Sequence, residues 1–198
     1  MSARKMNKLT IENIAANTAE NTAELTGFAK LGITGPLLKA TAVAGFDNPK
    51  PIQIGAIPPH LAGRDVLAVA QTGSGKTAAF SLPILTKIIA LGTKRSPRTC
   101  RALILAPTRE LAVQIEDTIR ILAKGLHVAT ALVLGGVSRS SQVRKMAPGV
   151  DTVILGNDPV NEEGDGFASV QDSDEFKLAN ELRVEFTYLT KIIDLVKL

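Results

Sequence analysis

The stretch DVLAVAQTGSGKTAAF, residues 65–80, decides how this sequence is expected to fold. Its first part, residues 65–70, is a short continuous apolar run, which predicts a buried strand. Residues 77–91, TAAFSLPILTKIIAL, predict a helix. Between them, AQTGSGKT at residues 70–77 satisfies the phosphate-loop pattern, except that Ala70 stands where the first glycine is usual. A strand, a glycine-rich loop and a helix in this order predict a nucleotide-binding α/β domain.

The residue types of this loop suit a phosphate cradle. Gly73 and Gly75 let the backbone curl so that successive N–H groups point inward, and the helix that begins near Lys76 adds its positive dipole end, which makes a nest for phosphate oxygens. Lys76 would reach the β- and γ-phosphates, and the Thr77 hydroxyl would take one Mg²⁺ position. The alternative is a glycine-rich turn that matches by chance, which the strand before it and the helix after it disfavour.

Downstream of the loop, apolar segments of strand and helix type alternate. This alternation predicts a parallel sheet with helices on both faces, joined by right-handed crossovers. The predicted strands are residues 101–106, 127–135 and 151–156, and the predicted helices are residues 109–124 and 138–147. In the first of these helices Leu111, Ile115, Ile119 and Leu122 share one face.

Composition and length favour a folded domain outside the membrane. The 198 residues are long enough for one sizeable core, and 45% of them are hydrophobic. No apolar run reaches the roughly 18 residues that span a bilayer, and the start of the chain lacks the apolar region of a secretory signal. We therefore expect a cytoplasmic protein with no membrane contact. The lone Cys100 is expected to be a buried strand residue rather than a nucleophile.

Charge is distributed unevenly along the chain. Residues 1–156 hold 19 Lys and Arg against 9 Asp and Glu, whereas residues 157–198 hold 4 against 10. The basic part suggests a polyanionic partner, although a basic surface that is merely solvated is the open alternative.

Three further segments carry candidate binding residues. In GFDNPKPIQ, residues 45–53, the amide of Gln53 could pair with a donor and an acceptor on a purine edge. Phe28 could stack on the base, with a helix-start role for Gln53 and a core role for Phe28 as the alternatives. In PTRELA, residues 107–112, Thr108 and Arg109 stand at a helix N-terminus, which suits a nucleic-acid phosphate but is also typical of a simple helix cap. The third segment is the glycine pair at 135–136, which predicts a close-approach loop.

Taken together, residues 28–155 resemble the first RecA-like domain of a bacterial DEAD-box RNA helicase. GFDNPKPIQ with the upstream Phe28 resembles the family's Q motif, AQTGSGKT its motif I, PTRELA its motif Ia and the glycine pair its next RNA-contacting element. One departure is Lys50, which stands where the Q motif usually has Thr or Ser.

The resemblance implies a three-layer P-loop fold, the ligands ATP, Mg²⁺ and RNA, and a set of site residues. Adenine and the phosphates would be bound by Phe28, Gln53, Thr72, Gly73, Ser74, Gly75, Lys76 and Thr77, with Thr77 also on Mg²⁺. The RNA backbone would be contacted by Pro107, Thr108, Arg109, Gly135 and Gly136.

The resemblance stops after residue 156. The family pattern would continue with TPGR, a strand ending in Asp-Glu-Ala-Asp, then Ser-Ala-Thr and a second domain, whereas this sequence continues with GNDPV. The organisation expected is therefore a flexible arm at 1–26, a partial RecA-like domain at 27–156, and an acidic linker and tail at 157–198. Within the tail, LRVEFTYL at 182–189 could supply the strand that is missing beside the phosphate-loop strand, followed by a terminal helix. The alternative is one helix, whose apolar face would be formed by Leu178, Leu182, Leu189, Ile193 and Val196.

These departures bear on function because, in the family, the Asp-Glu-Ala-Asp box supplies one carboxylate that holds Mg²⁺ and another that orients the attacking water. The second domain supplies an arginine finger that stabilises the transition state. The tail offers Asp158, Asp174, Glu175 and Asp194 as substitutes, for each of which a solvated surface acid is the favoured interpretation. The hypotheses are an ATP-dependent RNA helicase that cannot hydrolyse ATP alone, a non-catalytic nucleotide- and RNA-binding module, and a rearranged gene product. A second chain that supplies the missing half is a further possibility.

Overall fold

The computed structural model describes residues 27–135, 137–156 and 186–191. These residues form six helices and four strands, and strand and helix alternate from β1 to β3. In chain order the elements are α1 Gly27–Lys30, α2 Gly35–Val43, α3 Pro51–Leu61, α4 Lys76–Ala90, β1 Cys100–Ala106, α5 Arg109–Leu122, β2 Thr130–Leu134, α6 Arg139–Met146, β3 Thr152–Gly156 and β4 Phe186–Lys191. The helices and strands predicted between residues 77 and 156 are thereby confirmed, with bounds shifted by a few residues.

The four strands form one parallel sheet in the order β2, β3, β1, β4. Gly156, the last residue of β3, lies opposite Ala106 of β1 on one side and opposite Leu134 of β2 on the other. Because all three strands end at the same level, the loops that follow them share one edge of the sheet.

Helices cover both faces of the sheet, which confirms the three-layer prediction. On one face Ala102, Ile104 and Ile154 pack with the buried side chains of α1 to α5. On the other face Leu103 and Val153 pack with residues of α6 and of the segment before β3. The face of α5 predicted from its periodicity is also found, since Ile115, Ile119 and Leu122 are buried and Leu111 is half-buried.

Cys100 begins β1 and is buried, as predicted. Burial raises the pKa of its thiol to about 12, so that the thiolate is scarce at neutral pH. A nucleophilic role for this cysteine is therefore disfavoured.

The strand predicted at residues 65–70 is wrong. Residues 64–71 adopt no regular secondary structure, and Leu67 and Val69 are 78% and 61% exposed. A strand is stable only when its backbone groups pair with a neighbour. Among the described residues no strand pairs with this segment, and β1 has β3 on one side and β4 on the other.

The tail contributes a strand, as the sequence suggested, but at a different place. Phe186–Lys191 forms β4 and pairs in parallel with β1, Leu103 lying opposite Leu189. The strand therefore extends the sheet beside β1 rather than beside residues 65–70. The arm at 1–26, the linker at 157–185 and the proposed terminal helix at 192–198 lie outside the described residues.

A buried carboxylate ties together the amino ends of three strands. Asp151, 1% exposed, directly precedes β3 and accepts a hydrogen bond from Arg101 of β1 (2.9 Å). It also accepts from the Ala129 N–H ahead of β2 (2.8 Å) and from the Arg95 guanidinium (2.8 Å). Arg101 in turn donates to the carbonyl of Lys94 at 2.7 Å, which fixes the loop before β1. The network aligns three strand starts through one side chain.

Replacing this carboxylate should be costly. We expect Asp151→Ala to lower the free energy of unfolding by about 3 kcal/mol, because it removes the carboxylate that pairs with two guanidinium groups and accepts the Ala129 N–H. Urea unfolding followed by circular dichroism measures the change. Asp117→Ala, at an exposed position of α5, is the control and should shift stability by less than about 0.5 kcal/mol. Equal stability of the two variants would contradict this account of the network.

Candidate functional site

The phosphate loop has the left-handed backbone that its glycines predict. Gly73 has φ 76° and Gly75 has φ 92°. Gly75 caps α4, and its carbonyl accepts the Ala79 N–H at 3.1 Å. A Cβ at Gly75 would lie 2.5 Å from the Nε2 of Gln53. Only glycine satisfies both the φ angle and this close approach.

Helix α3 reaches the loop through Gln53, whose side chain is buried. Its Oε1 accepts the Lys50 N–H at 2.8 Å, which caps α3, and its Nε2 donates to the Gly75 carbonyl at 3.1 Å. Both ends of the amide are therefore engaged within the protein. The purine-reading role stays a prediction, and the geometry gives Gln53 the additional task of joining α3 to the loop.

Two ammonium groups lie on carbonyls of the loop. Lys76 Nζ donates to the Ala70 carbonyl at 2.6 Å, and Lys50 Nζ donates to the Gly73 carbonyl at 2.8 Å. The Ser74 hydroxyl is buried and has no hydrogen-bond partner among the described residues. The Lys76 ammonium, the N-terminus of α4 and the Ser74 hydroxyl form a donor set that fits a polyphosphate.

The same residues offer little to a metal ion. Thr77 lies in the first turn of α4, next to the loop. Within the described residues no group of three or more His, Cys, Asp or Glu side chains could hold a metal. A Mg²⁺ ion here would therefore take one hydroxyl from Thr77 and its other ligands from phosphate and water, which is a common arrangement for this ion.

Phe28 lies in the core. Its side chain is 1% exposed, and its ring contacts Phe46 edge to face with the centroids 6.5 Å apart. This is the core role that the sequence left open. Stacking on adenine stays a prediction, and it would require one face of the ring to become accessible.

The RNA-contacting residues predicted after β1 and β2 meet at one edge of the sheet. A Cβ at Gly156 would lie 2.7 Å from the side chains of Ala112 and Leu134 and 3.1 Å from the Cα of Arg109. The absence of a side chain at Gly156 therefore lets the start of α5 approach the end of β2. Pro107 and Thr108 lie in the loop after β1, Arg109 begins α5, and Gly135 follows β2.

Thr108 caps α5. This is the helix-cap role that the sequence analysis gave as the alternative to a phosphate contact. Its Oγ1 accepts the Leu111 N–H at 3.2 Å. The hydroxyl hydrogen can still be donated outward, so that the cap and a phosphate contact are compatible. Gly136 and the tail acids Asp158, Asp174, Glu175 and Asp194 lie outside the described residues.

Sequence reasoning missed one residue of this edge, Gln142 of α6. The side chain is buried, and its Oε1 accepts the Leu134 N–H at 3.0 Å. Its Nε2 donates to the carbonyls of Leu134 and Val137, each at 3.1 Å. Gln142 therefore pins both ends of the loop that contains the glycine pair. The available signal was a glutamine one helical turn before the buried Met146, on the inward face of α6.

The phosphate loop is an open surface rather than a cavity. Gln71, Thr72 and Gly73 are exposed. A cavity of about 710 Å³ instead lies along β2 between α5 and α6, lined in part by Arg120, Gln142 and Lys145. An open loop with hydrogen-bond donors suits a charged, hydrated ligand, whereas drug-sized ligands bind in concave pockets lined mostly by apolar side chains.

Comparison with known proteins agrees with this geometry. The model of the family "DEAD/DEAH box helicase" matches residues 50–161. DEAD-box ATP-dependent RNA helicase 41 of Arabidopsis thaliana is 44% identical over 130 residues, which cover 64% of this chain and 26% of that protein. ATP-dependent RNA helicase SrmB of Escherichia coli (strain K12) is 44% identical over 130 residues, which cover 66% and 29%.

A solved structure shares the fold. The RNA helicase Prp28 from Chaetomium thermophilum, bound to ADP, superposes with a TM-score of 0.56 at 40% sequence identity, covering 64% of this chain and 31% of that one. The chain thus spans less than a third of the length of these relatives. They come from a plant, a fungus and a bacterium, so a specifically bacterial type is not distinguished.

The described helices include none with the length and apolar character to cross a membrane. The family match covers more than half of the sequence, and it includes the loop and both strand ends described above. The chain therefore belongs to the DEAD/DEAH box helicase family, and its described residues have the RecA-like fold of that family.

Proposed function

We propose that this chain binds ATP and Mg²⁺ at the phosphate loop and RNA at the carboxyl edge of the sheet, as the corresponding part of an ATP-dependent RNA helicase. The observation that carries the proposal is the left-handed loop at the start of α4, anchored to α3 by Gln53 and bearing Lys76. Relatives named as ATP-dependent RNA helicases, and one relative bound to ADP, support it.

In this proposal the predicted residues keep their roles. Gln53 and Phe28 read adenine, and Thr77 holds Mg²⁺. The phosphates lie among Thr72, Gly73, Ser74, Gly75 and Lys76. The RNA backbone contacts Pro107, Thr108, Arg109, Gly135 and Gly136. Residues 27–156 act as the binding domain, flanked by the arm at 1–26 and the tail at 157–198.

We further propose that ATP bound to this chain alone is not cleaved. Cleavage needs a carboxylate for Mg²⁺ and a group that orients the attacking water. After β3 the sequence continues as GNDPV, and none of the 198 residues form an Asp-Glu-Ala-Asp box. A partner chain that supplies these groups and a cytoplasmic location are accompanying predictions.

Nucleotide binding can be tested at Lys76. The account expects ATP with Mg²⁺ at a hundred times its Kd to stabilise the protein by about 2.7 kcal/mol, since ligand that binds only the folded state adds to its stability. Lys76→Ala should abolish that increment in a thermal unfolding experiment. Lys87→Ala, at the other end of the same helix, serves as the matched control and should keep it. A nucleotide response that survives in Lys76→Ala would remove the phosphate-loop assignment.

RNA binding can be tested by its salt dependence. If RNA is held through its phosphates, the logarithm of the affinity should fall linearly with the logarithm of the salt concentration. Arg109→Ala should reduce the slope by about one. Arg120→Ala, about three turns further along α5, should leave the slope unchanged. Fluorescence anisotropy with a labelled single-stranded RNA gives both slopes. Affinity that does not depend on salt, or the same slope in both variants, would count against the RNA edge.

A further inference from the structure

Lys50, which lies beside the phosphate loop, stands where the Q motif usually has Thr or Ser. It precedes α3 with an extended backbone, φ −78° and ψ 159°, and its side chain crosses to a loop 23 residues away in sequence. Its Nζ donates to the Gly73 carbonyl at 2.8 Å, and its Cδ lies 3.2 Å from the position that a Cβ on Gly75 would take. The side chain therefore lies against the loop along its length and not only at its tip.

The contact is on the outer side of the loop. In a planar trans peptide the C=O and the N–H point in opposite directions. An ammonium on the Gly73 carbonyl is therefore on the side of that peptide away from the Ser74 N–H. In the same way Gln53 donates to the Gly75 carbonyl, so the N–H of the Gly75–Lys76 peptide points away from Gln53. Two side chains of the α3 start thus grip two carbonyls of one left-handed turn.

A cation in this place does two things that a neutral hydroxyl would not. Hydrogen bonding to a charged donor is stronger, and it polarises the Gly73–Ser74 peptide, whose N–H donates to the Gln71 carbonyl at 3.2 Å. The ammonium therefore strengthens the hydrogen bond that closes the turn of the loop. The charge also raises the positive potential of the loop beside Lys76, to an extent that salt screens because Lys50 is exposed.

We propose that Lys50 is a positioning residue for the nucleotide, which holds the phosphate loop in its left-handed conformation from the outside and adds positive potential beside Lys76. The inference rests on the proposed nucleotide site. It assigns to Lys50 a role in binding the phosphates of a nucleoside di- or triphosphate, and none in binding adenosine.

The test compares Lys50→Met, which keeps the methylenes but removes the charge, with Lys39→Met at an exposed position of α2. Calorimetric titration of the full chain with ADP and Mg²⁺ should show about three- to fivefold weaker binding in Lys50→Met. Adenosine affinity should be unchanged. Lys50→Arg should restore most of the ADP affinity, because it returns a charged donor.

Hydrogen exchange without nucleotide supplies the readout for positioning. The amides of residues 71–77 should exchange faster in Lys50→Met than in the wild type or in Lys39→Met, whereas those of β1 should not change. A purely structural role would instead change exchange across α3 and the core.

Unchanged exchange in the loop, or ADP binding that is unchanged or tighter in Lys50→Met, overturns the proposal. Failure of the wild-type chain to bind ADP at all is a different result, since it overturns the proposed function. In that event the exchange experiment alone decides whether Lys50 holds the loop.

Discussion

The parallel ladder between β1 and β3 is the interaction on which the rest of the structure depends. It runs from Ala102 opposite Thr152 to Ala106 opposite Gly156. At its amino end the Asp151 carboxylate draws in the starts of β1 and β2. At its carboxyl end the bare backbone of Gly156 lets α5 and the end of β2 close over it. The register between β1 and β3 is therefore fixed at both ends. The buried Asp151 carboxylate fixes the amino end, and close packing against Gly156 fixes the carboxyl end.

The candidate site uses this frame in two separate ways. The RNA edge depends on the sheet directly, because its loops follow strands whose ends are level, and Gln142 pins the loop after β2. The phosphate loop depends on helices instead, since Gly75 caps α4, and Lys50 and Gln53 at the start of α3 donate to the carbonyls of Gly73 and Gly75. The phosphate loop and the RNA edge are connected through the core, because α4 follows the loop, α5 begins at the RNA edge, and their buried residues belong to one hydrophobic cluster.

Sequence patterns predicted what depends on neighbours along the chain. The periodicity of α5 and the apolar runs of β1 and β3 are local signals, and the structure confirms them. The signature of the phosphate loop is local as well, and its glycines have the expected positive φ.

Long-range pairing was not predictable in the same way. Residues 65–70 have strand composition but no partner among the described strands, so their apolar side chains remain exposed. Lys50 was noticed only as a departure from a pattern, because its reach to Gly73 depends on how α3 packs beside α4. Asp151 and Gln142 carry no motif, and their importance follows from burial together with several backbone partners.

The measurement that tests the central claim most directly is steady-state ATP hydrolysis by the purified chain, with and without RNA, alongside bound nucleotide in the same samples. The account predicts that nucleotide is bound and that phosphate release stays at the level of buffer in both conditions. Turnover stimulated by RNA and lost in Lys76→Ala would contradict it. That result would mean that an acid elsewhere in the chain, such as one of the four in the tail, replaces the Asp-Glu-Ala-Asp box.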